Sequence, residues 1–71
     1  MIDPEEAVKM FKRLNPEDDV KVYSSKVVGD KVIIGAELKN GFFYFIADVE
    51  SRFPSISHSY DTLEEAERDC A

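Results

Sequence analysis

The strongest constraint on this chain is Asn40-Gly41, which stands between apolar-rich runs at residues 32–39 and 42–49. Asn-Gly readily takes the two positive-φ positions of a two-residue mirror-image turn, whose twist matches that of paired strands. Such a turn makes Lys39 and Phe42 neighbours. It then pairs Leu38 with Phe43, Ala36 with Phe45, Ile34 with Ala47, and Val32 with Val49. These eight residues are apolar and share one face, so turn chemistry and binary pattern agree on a β-hairpin. Ile33, Glu37, Phe42, Tyr44, Ile46, Asp48 and Glu50 fall on the other face.

A second turn, Gly29-Asp30, closes a strand at about residues 20–28 onto this hairpin and sets Val27 beside Val32. Uninterrupted alternation turns Lys21 inward and Val20 and Val22 outward. A β-bulge near Ser24-Ser25 returns both valines to the core. Upstream, Asp3, Pro4 and Glu6 mark a helix start, and Ala7, Phe11 and Leu14 recur at helical spacing until Asn15-Pro16 ends the segment. Downstream, Arg52-Phe53-Pro54 reads as a loop or sheet edge. Ile56, His58 and Tyr60 alternate with serines as a short fourth strand or extended return. Thr62 and Glu65 form a capping box for a second helix to Cys70, with Leu63, Ala66 and Cys70 as a narrow apolar stripe. The order predicts one α+β domain over residues 1–71, a helix, three or four antiparallel strands and a helix, packed in two layers.

Charge narrows the function classes. Nine basic against fifteen acidic side chains give a net charge of −6. The sign opposes direct contact with nucleic acid or an anionic membrane. The longest apolar run, residues 42–47, is far short of the roughly 20 residues of a membrane helix. A lone cysteine, Cys70, cannot form an internal disulfide and fits a reducing compartment. Residues 1–14 are neutral, whereas residues 61–71 carry −4. Carboxylates two apart on a strand lie roughly 6.6–6.8 Å apart by rise, and four apart on a helix roughly 6 Å, spacings that imitate a row of phosphates. Asp48 with Glu50 meets the first relation, and Glu65 with Asp69 the second. The plainer reading is that these acids keep a small domain soluble.

Other constellations lead to less. His58 and Cys70 with Asp61 outline a thiol dyad, but Glu67 and Asp69 beside Cys70 disfavour a thiolate. One His and one Cys supply half a zinc site, so neither metal nor cofactor is expected, nor an enzyme. Phe42 and Tyr44 beside Ile33 and Ile46, rimmed by Glu37, Asp48 and Glu50, form either an exposed protein-binding patch or a face covered by the fourth segment or a helix. An open sheet edge leaves room for self-association.

The order helix, three strands, helix resembles the double-stranded-RNA-binding fold over nearly the whole chain. That family grips phosphates with lysines at the start of its second helix. Here the matching stretch is Thr62-Leu63-Glu64-Glu65-Ala66-Glu67, so the resemblance implies the architecture without the RNA. Residues 32–71, with the Asn-Gly turn and Asp61-Thr62-Leu63-Glu64-Glu65-Ala66, look like the antitoxin half of HicAB-type pairs. That likeness implies a HicB-type module neutralising one cognate partner.

In size and acidity the full chain resembles the small acidic host-takeover proteins of large lytic phages, among them DNA mimics that inhibit the histone-like nucleoid protein HU. This resemblance implies a non-enzymatic protein of the bacterial host cytoplasm that displaces HU from DNA and touches no nucleic acid itself. The candidate partner-binding residues are Asp48, Glu50, Glu64, Glu65, Glu67 and Asp69, with Glu17, Asp18 and Asp19 as a second patch.

Overall fold

The computed structural model describes residues 3–15 and 19–70. Helix α1 spans Pro4–Leu14, followed by strands β1 (Lys21–Val28), β2 (Lys31–Leu38), β3 (Gly41–Asp48) and β4 (Ser55–Ile56), and helix α2 (Leu63–Cys70). The strands form one antiparallel sheet in sequence order. The α+β class and the order of elements are therefore as the sequence predicts.

The layering is not. Side chains of β2 alternate between two separate clusters. Val32, Ile34 and Ala36 pack with Phe45 and Ala47 beneath Ala7 and Phe11 of α1. Ile33 packs with Ile46 and Tyr60 beneath Ala66 of α2. The helices cover opposite faces of the sheet, so the domain has three layers where two were expected. The physical cause lies in β2, where residues 32–36 are all buried, as in a strand covered on both sides.

Local chemistry sets the helix ends. The Asp3 carboxylate accepts the Glu5 N–H at 2.9 Å, Pro4 takes the first helical position, and the Asn15 side chain donates to the Phe11 carbonyl at 2.9 Å. Thr62 Oγ1 accepts the Glu65 N–H at 3.2 Å and caps α2. Full burial of Phe11 and Ala7, with the Phe11 ring 4.8 Å from that of Phe45, fixes α1 on the sheet.

Strand registers follow the predicted faces with two adjustments. Val27 pairs with Val32 across the Gly29-Asp30 turn, as expected, Gly29 taking φ +63°. The bulge falls at Tyr23, one residue before the predicted site. It returns Val20 and Val22 to the α1-side cluster. The central hairpin is shifted by two residues: Leu38 pairs with Gly41, Ala36 with Phe43, Ile34 with Phe45 and Val32 with Ala47. A two-residue shift keeps every side chain on its face, so hydrophobic pattern does not oppose it. Backbone chemistry decides it. Only glycines have positive φ among the described residues, Gly41 at +139°, so Asn40 does not take the conformation a mirror-image Asn-Gly turn requires.

The return along β3 is irregular. Asp48 pairs with Ser55 and Ala47 with Ile56, but Tyr44 bridges Tyr60, one residue out of step. Ser57 absorbs the offset. Its N–H donates to the Ile46 carbonyl and its hydroxyl accepts the Ile46 N–H, both at 2.9 Å.

Candidate protein-binding surface

The acidic residues divide by position. Helix α2 runs from beside the Tyr44–Tyr60 bridge to the Val28 carbonyl, which the Cys70 thiol approaches at 4.0 Å. Its outer side carries Glu64, whose side chain is 86% exposed and 4.0 Å from Arg68, together with exposed Glu65 and Asp69. Glu65 and Asp69 also line an open polar cleft of about 300 Å³ with His58, Asp61 and Arg68. The predicted helical pair thus shares one side of α2.

Glu67 faces the sheet instead and meets Lys26 of β1 at 3.0 Å. Asp69 hydrogen-bonds the Tyr60 hydroxyl; that bond, with burial, holds the phenol above its ordinary pKa.

Asp48 closes β3 on the α2 side of the sheet, where its carboxylate accepts the Ser51 N–H at 3.2 Å. It stands near Lys31, whose ammonium is held above its ordinary pKa first by the hydrogen bond to Asp30 at 3.1 Å, and further by the Asp48 charge. Glu50 lies in the bend beyond β3, so the strand spacing expected for Asp48 and Glu50 is not realised. Asp19 is exposed just ahead of β1, at the end of the sheet away from Asp48. Glu17 and Asp18 of the same predicted patch lie outside the described residues.

Helix α2 and the Tyr60 segment cover Ile33 and Ile46, and the expected apolar patch contracts accordingly. At eight residues α2 is about 12 Å long, under half the length of an eight-residue strand. One corner of its face stays uncovered. There Phe42 (40% exposed) lies between Tyr23 (61% exposed) and half-buried Tyr44, with ring centroids 5.8 and 5.3 Å apart. Glu37 pairs directly with Phe42 and stays on the rim, whereas Asp48 lies at the far end of the strand.

Tyr23 is the member that sequence reasoning missed, because the bulge that turns it toward Phe42 falls on Tyr23 itself. Gly35 lets its neighbours approach β2 closely: a Cβ there would meet Ser24 Oγ at 2.5 Å, Tyr44 at 3.1 Å and Phe42 at 3.2 Å.

Cys70 is half-buried, and burial pushes its thiol pKa up, partly offset by Lys31. The His58 ring lies against Tyr60, with centroids 4.5 Å apart and planes tilted by 39°. Among the described residues, no group of three or more His, Cys, Asp or Glu side chains gathers as a metal site, and no helix is long and apolar enough to cross a membrane. Comparison with protein-family models, curated proteins and solved structures finds no match to this chain.

Proposed function

We propose that this protein is a non-enzymatic acidic module that occupies the DNA-binding surface of a basic bacterial protein, with the nucleoid protein HU as its target. The observation that carries this reading is the shared position of Glu64, Glu65 and Asp69 on the outer side of α2, with Asp48 beside the far end of the same sheet face. Carboxylates one helical turn apart substitute for successive phosphates. Their summed field draws a cationic partner at a rate that falls as salt screens it. The protein acts in the host cytoplasm and displaces HU from DNA without touching DNA itself.

The reading is tested by titrating the protein into preformed HU–DNA complex at low and moderate salt and following DNA mobility. Release of free DNA that fades as salt rises is the expected result. Intact complex at every ratio, with no direct HU binding, overturns the assignment.

The exposed rings of Phe42 and Tyr23 favour one second reading, an antitoxin-like module that neutralises a cognate partner through apolar contact. That complex would tolerate salt, which separates the two.

A further inference from the structure

On the α1 side of the molecule, an open groove of about 330 Å³ lies between the helix and the loop over residues 49–54. Met10 of α1, with Val49 and Pro54 at the two ends of the loop, is its apolar lining, and exposed Glu6, Lys9 and Arg13 are its charged lining. Phe53, next to Pro54, is 79% exposed, the most exposed large hydrophobic side chain among the described residues. Its ring does not line the groove beside it. A cavity of about 150 Å³ holds a benzene ring, so the groove has room for one brought by another molecule.

Charge indicates which molecule. Residues 1–14 are neutral in a chain of net charge −6, whereas residues 61–71 carry −4. Two copies of such a chain repel most where their acids gather and least across α1. The charges of the groove are also ordered along the helix. Glu6 lies near its start, and Arg13 lies seven residues, about 10.5 Å, further on. Two such helices laid antiparallel set Glu6 of each copy against Arg13 of the other, with Lys9 beside Met10 between them. A two-fold dimer requires a patch complementary to itself. Here an exposed ring stands next to a groove, and an acid at one end of a helix answers a base at the other. We propose that the α1 groove is a homodimer interface, in which Phe53 of each copy enters the groove of the other and Glu6 pairs with Arg13 across the two-fold axis. Because α1 and α2 cover opposite faces of the sheet, the pair leaves both acidic helices facing outward. The proposal stands without the HU assignment, since the oligomeric state is read from this chain alone.

Sedimentation equilibrium of the full chain, from about 10 µM to about 1 mM, tests it. Expected is a rise from the 8.1 kDa of one chain toward twice that mass. Phe53→Ser should weaken the association about tenfold or more. Glu6→Arg and Arg13→Glu each set like charges across the axis and should each weaken it about tenfold. An equimolar mixture of these two variants should recover the association, because each supplies the charge that the other lacks. All three positions are exposed, so circular dichroism should show the fold unchanged. A mass of one chain at every concentration overturns the proposal. Association that is indifferent to Phe53→Ser, or charge variants that do not recover on mixing, overturns it too and moves the contact elsewhere, such as the outer edge of β1.

Discussion

The two faces of the sheet do different work. On the α1 side seven buried residues, including the whole of Phe11, form the larger cluster. The helix above them balances Glu5 and Glu6 against Lys9, Lys12 and Arg13. On the α2 side the buried hydrophobic cluster holds four residues, Ile33, Ile46, Tyr60 and Ala66. The covering helix is eight residues long, with four acids and one base. A helix that short has no stability of its own in water, and Glu65 and Asp69 repel each other one turn apart. Packing is thus concentrated on one side and charge on the other. The acidic helix is held by a few contacts while its outer side faces solvent.

The largest expected effect breaks the heavier side. Phe11→Ala removes a ring that is 1% exposed and packed on Phe45. It should cost about 3–5 kcal/mol, most of the stability available to a chain this size. Urea denaturation measures it. A loss below about 1 kcal/mol would mean that α1 does not organise the fold.

Ala66→Leu applies the same question to the lighter side. Ala66 is fully buried where α2 meets the sheet, so a larger side chain there should cost about 1–3 kcal/mol by overpacking. Hydrogen exchange should then show α2 opening while amides of β2 stay protected. Simultaneous loss of protection in both would show that the two sides unfold as one unit.

The asymmetry was only partly legible in the sequence. Turn residues and alternation identified the strands and the face of each side chain, and the caps at Asp3 and Thr62 located both helices. The hairpin register escaped because a shift of two residues leaves the same apolar set together. Placement of α2 stayed open because Ile33 and Ile46, on the other face of the hairpin, fit either an exposed patch or a face covered by the fourth segment or a helix; Ile33 lies beneath Ala66 of that helix. On the candidate surface, the helical spacing of Glu65 and Asp69 was readable. The inward turn of Glu67 was not, since its partner Lys26 is 41 residues away. Tyr23 joined Phe42 through a bulge whose position no local signal fixed.

A pH titration sharpens the contrast next. Tyr60, Cys70 and Lys31 all lie on the α2 side, and each holds its proton more tightly in the folded chain than its ordinary value allows. The causes are the Asp69 hydrogen bond for Tyr60, burial for Cys70 and the Asp30 hydrogen bond for Lys31. Groups raised in this way contribute fully below their unfolded pKa, and the contribution is lost as pH rises through the folded one. Stability should therefore decline from about pH 8.5 upward, beginning with α2. Tyrosinate absorbance with far-ultraviolet circular dichroism follows it. Tyr60→Phe and Cys70→Ala should each flatten part of the slope. An unchanged slope in both would remove the α2 side as its source.

The smallest effect tests whether the acidic helix is tied down by the ion pair between Lys26 and Glu67. Lys26 and Glu67 meet at 3.0 Å, but their side chains are 57% and 40% exposed, so the pair contributes about 0–1 kcal/mol. Lys26→Gln should leave the urea midpoint almost unchanged. It also removes a positive charge and frees the Glu67 carboxylate, so HU binding should strengthen about twofold to fivefold at low salt and much less at high salt. A large loss of stability would mean that the ion pair, and not the apolar contact at Ala66, keeps α2 on the sheet. Tighter folding with weaker HU binding would contradict the assignment of binding to the α2 side, because added negative charge there is predicted to help.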